Sequence, residues 1–235
     1  ALEAIGERVP GYSLEVSTQI PPSMGLKSSS SVCNAVISSV LDQFGAEMDP
    51  LDMIRLGVGC AKECRVTITG AFDDACGCGL GGLVVTDNAS NTLVLREEVP
   101  EYDVVILVPD RGIPKSKVPV DRYRALRREY EEMVPRIRDG YLDVLTANGS
   151  FVEAIVGGTG LAGRAIEAGA LAAGITGTGP ATAAIAEPGD GGRIAEELGC
   201  PAIITRTLRW TSFSMEEGSK GRCRSPRPRA TRTGR

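Results

Sequence analysis

The amino-acid sequence predicts a globular fold that mixes α-helices and β-strands in two successive units. Three observations predict it: short apolar runs alternate with a period of two, longer runs carry apolar residues at helical spacing, and clusters of Gly, Pro, Asn and Asp separate these runs. The chain has 235 residues and a hydrophobic content of 42%, which is sufficient for one large core or two small ones.

The first unit is predicted to begin with a strand at about 14–20, whose alternate apolar residues share one face. A Gly/Ser loop follows, and a helix then carries apolar residues at helical spacing from Val32 to Phe44, with Gly45 as its C-cap. Because the sequence has no initial Met and a strand is expected almost at its start, we expect an N-terminal segment to be missing.

The rest of the first unit is predicted to hold a second helix and a hairpin. Asp49 is a good N-cap and Pro50 suits the first helical position, so a helix is expected from here to near Arg65. A short acidic segment follows. The hairpin comes last, and a polar turn separates its two strands: 83–86 and 92–95.

The second unit is predicted to begin with a strand at 102–108, because a continuous apolar run is typical of burial on both faces. The same periodicities predict the later elements: helices at 119–133, 138–147 and 160–172 with a break at Pro135, a strand, turn and strand within 174–187, a helix at 190–198, and a strand at 201–207. Residues 209–235 have no apolar period, so we expect a disordered tail.

Charge is distributed unevenly along the chain. The last 27 residues hold eight Lys and Arg against two Glu, a net charge of +6, whereas the rest has 18 basic and 28 acidic residues, a net charge of −10. This excludes a general nucleic-acid surface outside the tail. No secretory leader is recognisable, and the apolar runs are far shorter than the roughly 20 residues of a membrane helix. We therefore expect a cytoplasmic protein with no membrane partner.

Seven cysteines, an odd number, argue against a disulfide framework and favour a reducing compartment. Four of them form C-x3-C and C-x-C pairs: Cys60, Cys64, Cys76 and Cys78. These spacings differ from those of ordinary zinc ribbons, so buried reduced thiols are favoured over a zinc site.

The first motif lies between the predicted strand and helix and could bind a phosphate chain. Gly25 allows a tight turn, the serines supply amide hydrogens and hydroxyls at a helix N-terminus, and Lys27 adds a cation. The alternative is a Ser N-cap on an amphipathic helix. It is not a Walker A loop, since Leu26 precedes Lys27 where that pattern requires Gly. The candidate residues are Pro21, Pro22, Ser23, Met24, Gly25, Leu26, Lys27, Ser28, Ser29, Ser30 and Ser31.

The second motif is the segment 69–74, Thr-Gly-Ala-Phe-Asp-Asp. The chain has no His, so a base that abstracts a hydroxyl proton would be a carboxylate, and Asp73 and Asp74 are the candidates. The alternative is a turn or N-cap with two solvated carboxylates.

The third motif is the segment 174–180, Gly-Ile-Thr-Gly-Thr-Gly-Pro, between two predicted strands. Its candidate residues for contact with a substrate or phosphate are Gly177, Thr178 and Gly179. A glycine turn in a hairpin is the alternative explanation.

Taken together and in this order, the three motifs resemble those of the GHMP kinase superfamily. Residues 21–29 are similar to its P-x-x-x-G-L-x-S-S motif, although Lys27 stands where a small residue is usual. The amino-acid sequences of the motifs, together with Gly-Gly-Leu-Val-Val-Thr-Asp-Asn at 81–88, resemble those of archaeal shikimate kinases. This resemblance extends over about residues 1–208.

This resemblance implies an α+β fold in two domains. Residues 1–98 would form a partial ATP-binding domain of the ribosomal protein S5 domain 2 type that lacks its first strand and loop. Residues 99–208 would form a ferredoxin-like domain, and ATP would bind between the two. An exposed sheet edge is expected where the missing strand would pair.

The resemblance also implies the roles of the motifs. The loop 21–31 would bind the phosphates of ATP, Ser29 and Asp74 would hold Mg²⁺, and Asp73 would be the catalytic base. The reaction would be the phosphorylation of the shikimate 3-hydroxyl, a step in chorismate and aromatic amino acid biosynthesis. Four cations are candidates for the shikimate carboxylate: Lys115, Lys117, Arg122 and Arg124.

Other functions stay open at this point. One alternative is another GHMP kinase, for homoserine or mevalonate. A second is an inactive binding protein on the same scaffold, and a third is nucleic-acid binding through the basic tail.

Overall fold

The structure is a computed structural model, and it describes residues 1–65, 67, 70–110, 112 and 119–208. The N-terminal part contains three helices and a hairpin: α1 (Ser28–Phe44), α2 (Pro50–Glu63), α3 (Phe72–Leu80), β1 (Leu83–Asp87) and β2 (Thr92–Glu97). The C-terminal part contains the remaining elements: β3 (Asp103–Leu107), α4 (Val120–Ala125), α5 (Arg127–Met133), α6 (Ile137–Val156), α7 (Leu161–Glu167), β4 (Ala172–Ile175), β5 (Thr182–Ala186), α8 (Gly191–Leu198) and β6 (Ala202–Arg206). Two short 3-10 helices lie at Glu3–Ile5 and Val134–Arg136.

Helix α2 begins and helix α1 ends where the local chemistry predicts. The Asp49 carboxylate accepts hydrogen bonds from the amides of Leu51 and Asp52, and Gly45 closes α1 in the left-handed conformation. The three helices and the hairpin enclose one apolar core: Ile37, Leu41, Met53, Ile54, Val58, Phe72, Ala75, Cys76 and Leu80. This core fixes the N-termini of α1 and α3 relative to each other.

The C-terminal part is built on a four-stranded antiparallel sheet in the order β4-β5-β3-β6. Helices α4–α7 connect β3 to β4, and α8 connects β5 to β6, so each connection passes over one intervening strand. This is the split βαβ topology of ferredoxin-like folds. Gly149 of α6 packs against Gly174 of β4 so closely that a Cβ on Gly149 would lie 2.3 Å from the Gly174 Cα.

The second core lies between this sheet and helices α7 and α8, and its largest members are Val105, Leu107, Ile194 and Leu198. The predicted domain boundary near residue 98 lies between the two cores, and the division into domains 1–98 and 99–208 stays a prediction. In the described part of the chain, no helix is long and apolar enough to cross a bilayer. The basic tail 209–235 lies outside the described residues.

Most predicted elements are confirmed, and the strand at 14–20 is wrong. The structure gives this segment no strand, and Leu14 and Val16 are 54% and 51% exposed. An alternating pattern forms a strand only when a neighbour satisfies its backbone groups, and no described strand pairs with this segment.

The observed helices differ from the predicted ones in four places. The acidic segment after residue 70 forms the helix α3. The sequence did not indicate this helix because the segment contains glycines. The predicted helix at 119–133 breaks at Leu126 into α4 and α5. Helix α6 continues through small residues to Val156, nine residues beyond its predicted end, and α7 ends at Glu167 rather than at 172.

Candidate active site

The first motif is a loop that leads into the N-terminus of α1. Gly25 has φ 77° and Lys27 has φ 63°, so the backbone turns sharply before Ser28 begins the helix. The N-cap residue is Lys27, with no side-chain cap bond, so the predicted alternative of a Ser N-cap is wrong. The serines lie inside the first turn, where the amides point out of the helix and the dipole favours an anion.

The third motif forms the β4–β5 loop and packs against this first loop. The Thr176 hydroxyl donates to the Gly25 carbonyl at 3.2 Å, and the Ala181 amide donates to the Met24 carbonyl at 3.1 Å. A Cβ on Gly25 would lie 2.3 Å from the Thr176 carbonyl oxygen, so only glycine fits there. The two glycine loops therefore form one surface.

The second motif lies at the N-terminus of α3, where Asp73 and Asp74 occupy the first turn. Asn88, from the turn after β1, accepts a hydrogen bond from the Asp73 amide at 3.0 Å and donates Nδ2 to Asp73 Oδ1 at 2.7 Å. The Thr86 hydroxyl also donates to Asn88 Oδ1, at 2.9 Å. These bonds fix the orientation of the exposed Asp73 carboxylate. Thr69, at the start of the motif, lies outside the described residues.

Asp74 forms an ion pair with Lys27, with 2.7 Å between Oδ1 and Nζ. The two side chains are 24% and 28% exposed, so the pair is largely shielded from water. Lys27 Nζ also lies against the third motif, since a Cβ on Gly177 would be 2.5 Å from it. Lys27 thus contacts both of the other motifs.

All three motifs line one cavity of about 760 Å³. Asp73 and the serine helix start face the same space, as the predicted site requires. The candidate site residues that line it are Pro21, Ser23, Gly25, Leu26, Lys27, Ser28, Ser29, Ser30, Asp73, Asp74, Gly177 and Thr178. Four candidate residues are not part of the lining: Pro22, Met24, Ser31 and Gly179. Among these four, Met24 accepts a hydrogen bond across the two loops, and the Gly179 amide donates one to the Thr176 carbonyl within the third motif.

The cavity continues between the sheet and helices α4–α6, and the sequence did not indicate this part. Its lining combines two phenols and an amide with aliphatic side chains: Tyr123, Tyr130, Asn148, Val104, Val120, Leu145, Val152, Ala183 and Ile185. Leu145 and Asn148 lie three residues apart on α6, which is helical spacing. Their sequence pattern does not show whether this face of the helix lines a cavity or packs into a core.

Burial controls the protonation of several groups near the cavity. It raises the pKa of the Cys76 thiol to about 11, with a smaller contribution from Asp73. It also raises the pKa of Cys78, where Asp74 adds to the rise and Lys27 opposes it. Burial raises the pKa of Tyr123 and Tyr130 above that of a free phenol. At neutral pH these thiols and phenols are therefore protonated.

The structure places the predicted carboxylate-binding arginines away from the cavity. The Arg122 guanidinium donates to the carbonyls of Ile155 and Ala154 at the end of α6, and the Arg124 guanidinium pairs with Asp121 in solvent. Lys115 and Lys117 lie outside the described residues.

The cysteines proposed as alternative zinc ligands are free thiols. Cys76 is buried, Cys60 and Cys78 are half-buried, and Cys64 is exposed. In the part of the chain that the structure describes, no three His, Cys, Asp or Glu side chains are grouped closely enough to hold a metal ion.

Comparison with known proteins finds similar kinases. The family model of the N-terminal domain of GHMP kinases matches residues 1–82. A curated protein named shikimate kinase from Methanothrix thermoacetophila is 39% identical over 188 residues, which are 79% of this chain and 65% of that protein. The chain is similar to GHMP kinases. Another curated shikimate kinase, from Methanococcoides burtonii, is 40% identical to this chain over 179 residues, 75% of the chain and 62% of the relative.

A solved structure confirms the predicted fold of this chain. The mevalonate kinase of Methanococcus jannaschii superimposes with a TM-score of 0.70, at 16% identity, over 89% of this chain and 72% of that protein. The predicted α+β GHMP kinase fold is therefore confirmed. The chain spans slightly less than two thirds of the length of the curated relatives described above.

Proposed function

We propose that this chain is the larger part of a cytoplasmic shikimate kinase, which transfers the γ-phosphoryl group of ATP to the shikimate 3-hydroxyl. The product, shikimate 3-phosphate, leads to chorismate and the aromatic amino acids. One observation carries the proposal: the anion-binding start of α1 and the Asp73 carboxylate line the same cavity. The curated relatives named shikimate kinase support the choice of substrate.

The phosphates of ATP would lie at the start of α1. Ser28, Ser29 and Ser30 offer backbone amides and hydroxyls there, and the helix dipole favours negative charge. Gly25 and Gly177 let the two loop backbones pack closely against each other at this end of the cavity. Lys27 is close enough to supply positive charge to the same group.

The side chains present also fit Mg²⁺, provided that phosphate oxygens complete its coordination. Mg²⁺ usually takes one or two carboxylates and keeps water or substrate phosphates as its other ligands. Ser29 and Asp74 would hold it, with Lys27 moving from Asp74 toward the phosphates. When bound, the ion would neutralise charge on the transferred phosphoryl group.

Asp73 would act as the base. Asn88 holds its Oδ1, which leaves Oδ2 to accept the proton of the acceptor hydroxyl. As that O–H bond breaks, the hydroxyl oxygen forms a bond to the γ-phosphorus, and the bond from that phosphorus to the β-phosphate oxygen breaks to release ADP. Positioning and electrostatic stabilisation supply most of the catalysis in such transfers.

The proposal is tested by turnover of a substrate panel. The chain is mixed with MgATP and, separately, shikimate, homoserine or mevalonate, and 31P NMR follows new phosphate esters. We expect shikimate 3-phosphate and ADP in equal amounts. Phosphorylation of homoserine or mevalonate without phosphorylation of shikimate would contradict the substrate. Failure to bind ATP in calorimetry, together with no product, would contradict the kinase activity.

A further inference from the structure

The cavity has two chemically different ends. Its charged lining residues in the described part of the chain are Lys27, Asp73 and Asp74, and all three belong to the motifs. The opposite end, between the sheet and helices α4–α6, is lined by aliphatic side chains, two tyrosines and Asn148. A triphosphate needs cations or helix N-termini, so this second end suits an uncharged or singly charged group.

Two phenol groups at this end have an unusual environment. The hydroxyl oxygens of Tyr123 and Tyr130 are buried, and neither has a hydrogen-bond partner within residues 1–65, 67, 70–110, 112 and 119–208. An unsatisfied buried hydroxyl costs about 1–3 kcal/mol, and native structures retain few of them. By contrast, the hydroxyls of Tyr102 and Tyr141, away from this lining, bond to each other at 3.1 Å.

The surroundings hold these phenols in place. The ring of Tyr130 packs on Phe151 of α6 with 5.8 Å between centroids. Both phenols are protonated at neutral pH, and burial raises their pKa further, so each can donate its O–H hydrogen. Val104, Leu145 and Ile185 add apolar surface beside them. Such a site fits a compact molecule with apolar faces and oxygen atoms at its rim.

We propose that Tyr123 and Tyr130 bind the phosphoryl acceptor, by donating their hydroxyl hydrogens to oxygen atoms at the end remote from its reacting hydroxyl. This inference rests on the proposed function, because it places the reacting hydroxyl at Asp73. The bound oxygen atoms belong to a carboxylate or to further hydroxyls, which share this chemistry. The two tyrosines thereby contribute to acceptor specificity without contact with the transferred phosphate.

The test uses Tyr123→Phe, Tyr130→Phe and the double variant. We expect each single variant to raise the acceptor KM by about threefold to tenfold, the usual effect of one hydrogen bond, with the KM for ATP unchanged. Tyr141→Phe is the matched control, since it removes a phenol that does not line the cavity, and it should leave both constants unchanged. The thermal midpoints of the two cavity variants should not fall, because no described partner is lost.

Two acceptors separate the possible oxygen atoms. If the tyrosines bind the carboxylate, the double variant loses the preference of the wild type for shikimate over its methyl ester. If they bind hydroxyls, the KM values for shikimate and for its methyl ester rise by the same factor. Either result supports the inference.

An active double variant with an unchanged KM for the acceptor would overturn this inference but not the proposed function. A rise confined to the KM for ATP would do the same, because it would place the nucleotide at this end of the cavity. A wild type that phosphorylates no alcohol would overturn the proposed function, and the inference with it.

Discussion

Lys27 Nζ lies 2.7 Å from Asp74 Oδ1, and this ion pair joins the N-terminus of α1 to the N-terminus of α3. Lys27 is the N-cap residue of α1 and adopts a left-handed backbone conformation. Two helix N-termini with positive dipole ends thus meet at one carboxylate and one ammonium group. A bound polyphosphate would compete with Asp74 for this lysine.

Replacement of Lys27 by Met tests this competition. We expect Lys27→Met to raise the Kd for ATP by about tenfold, because a charge-assisted hydrogen bond contributes roughly 1.5–3 kcal/mol and part of it is offset by freeing Asp74. Isothermal calorimetry with ATP and Mg²⁺ measures the change. Lys27→Arg keeps the charge and should lose less affinity. Tighter ATP binding by Lys27→Met would show that the lysine serves only to hold Asp74.

Replacement of Asp73 by Asn tests the proposed base. We expect kcat to fall by about 10²–10⁴-fold, the usual contribution of a general base, while the Kd for ATP stays within about twofold. Asp87→Asn is a matched control, because Asp87 is an exposed carboxylate that accepts hydrogen bonds from Ala89 and Ser90 within its own turn. If both variants retain full kcat, the acceptor hydroxyl loses its proton without help from Asp73.

The residues that line the cavity differ in how clearly the sequence indicates them. The loop residues from Gly25 to Ser30 and the two aspartates could be proposed from the sequence, because glycines, helix starts and acidic pairs leave a local pattern. Asn88 and Tyr130 left no such signal. An asparagine in a turn and a tyrosine on a charged helix are common everywhere, and only tertiary packing brings them to the cavity.

The same reasoning explains the failed strand prediction. The residues from Leu14 to Ile20 alternate as a strand should, but pairing between strands is a non-local event that periodicity cannot report. The strand β3 was predicted correctly because its run of Val and Ile is buried in the centre of a sheet, with neighbours on both sides. Helix α3 was missed because Gly77 and Gly79 lower its intrinsic helix propensity.

The Cys76 thiol predicts a pH dependence of stability. Burial raises its folded-state pKa to about 11 from a model-compound value of 9.0, so the folded protein keeps a proton that the unfolded chain releases. The free energy of unfolding should therefore fall as the pH rises from about 9 to 11, and not below that range. Cys78 contributes with the same sign.

Urea denaturation at intervals from pH 8 to pH 11 measures this effect. Cys76→Ala should flatten the dependence, whatever offset its smaller side chain adds at all pH values. Cys64→Ala, at an exposed thiol, is the control and should retain the slope of the wild type. An unchanged slope in Cys76→Ala would show that other groups, such as Tyr141 with its pKa raised to about 12, control the alkaline limb.

Gly25 and Gly45 form a matched pair that separates backbone conformation from loop contact. Both have positive φ, 77° and 60°, so an alanine at either position costs roughly 1–2 kcal/mol of conformational strain. A Cβ on Gly45 meets nothing within 4 Å, whereas one on Gly25 would lie 2.3 Å from the Thr176 carbonyl oxygen. Gly25→Ala should therefore cost about 1–3 kcal/mol more, the usual penalty of overpacking.

Only the Gly25 substitution should also weaken ATP binding, because it forces apart the two loops that line the phosphate end of the cavity. Chemical denaturation and calorimetry on the same two variants give both quantities. If Gly25→Ala and Gly45→Ala lose the same stability and both bind ATP as the wild type does, the contact between the Gly25 loop and Thr176 contributes nothing to stability or to ATP binding. A larger loss at Gly25 in both measurements would link the packing of these loops to nucleotide binding, since Gly45 shares the strain but not the contact.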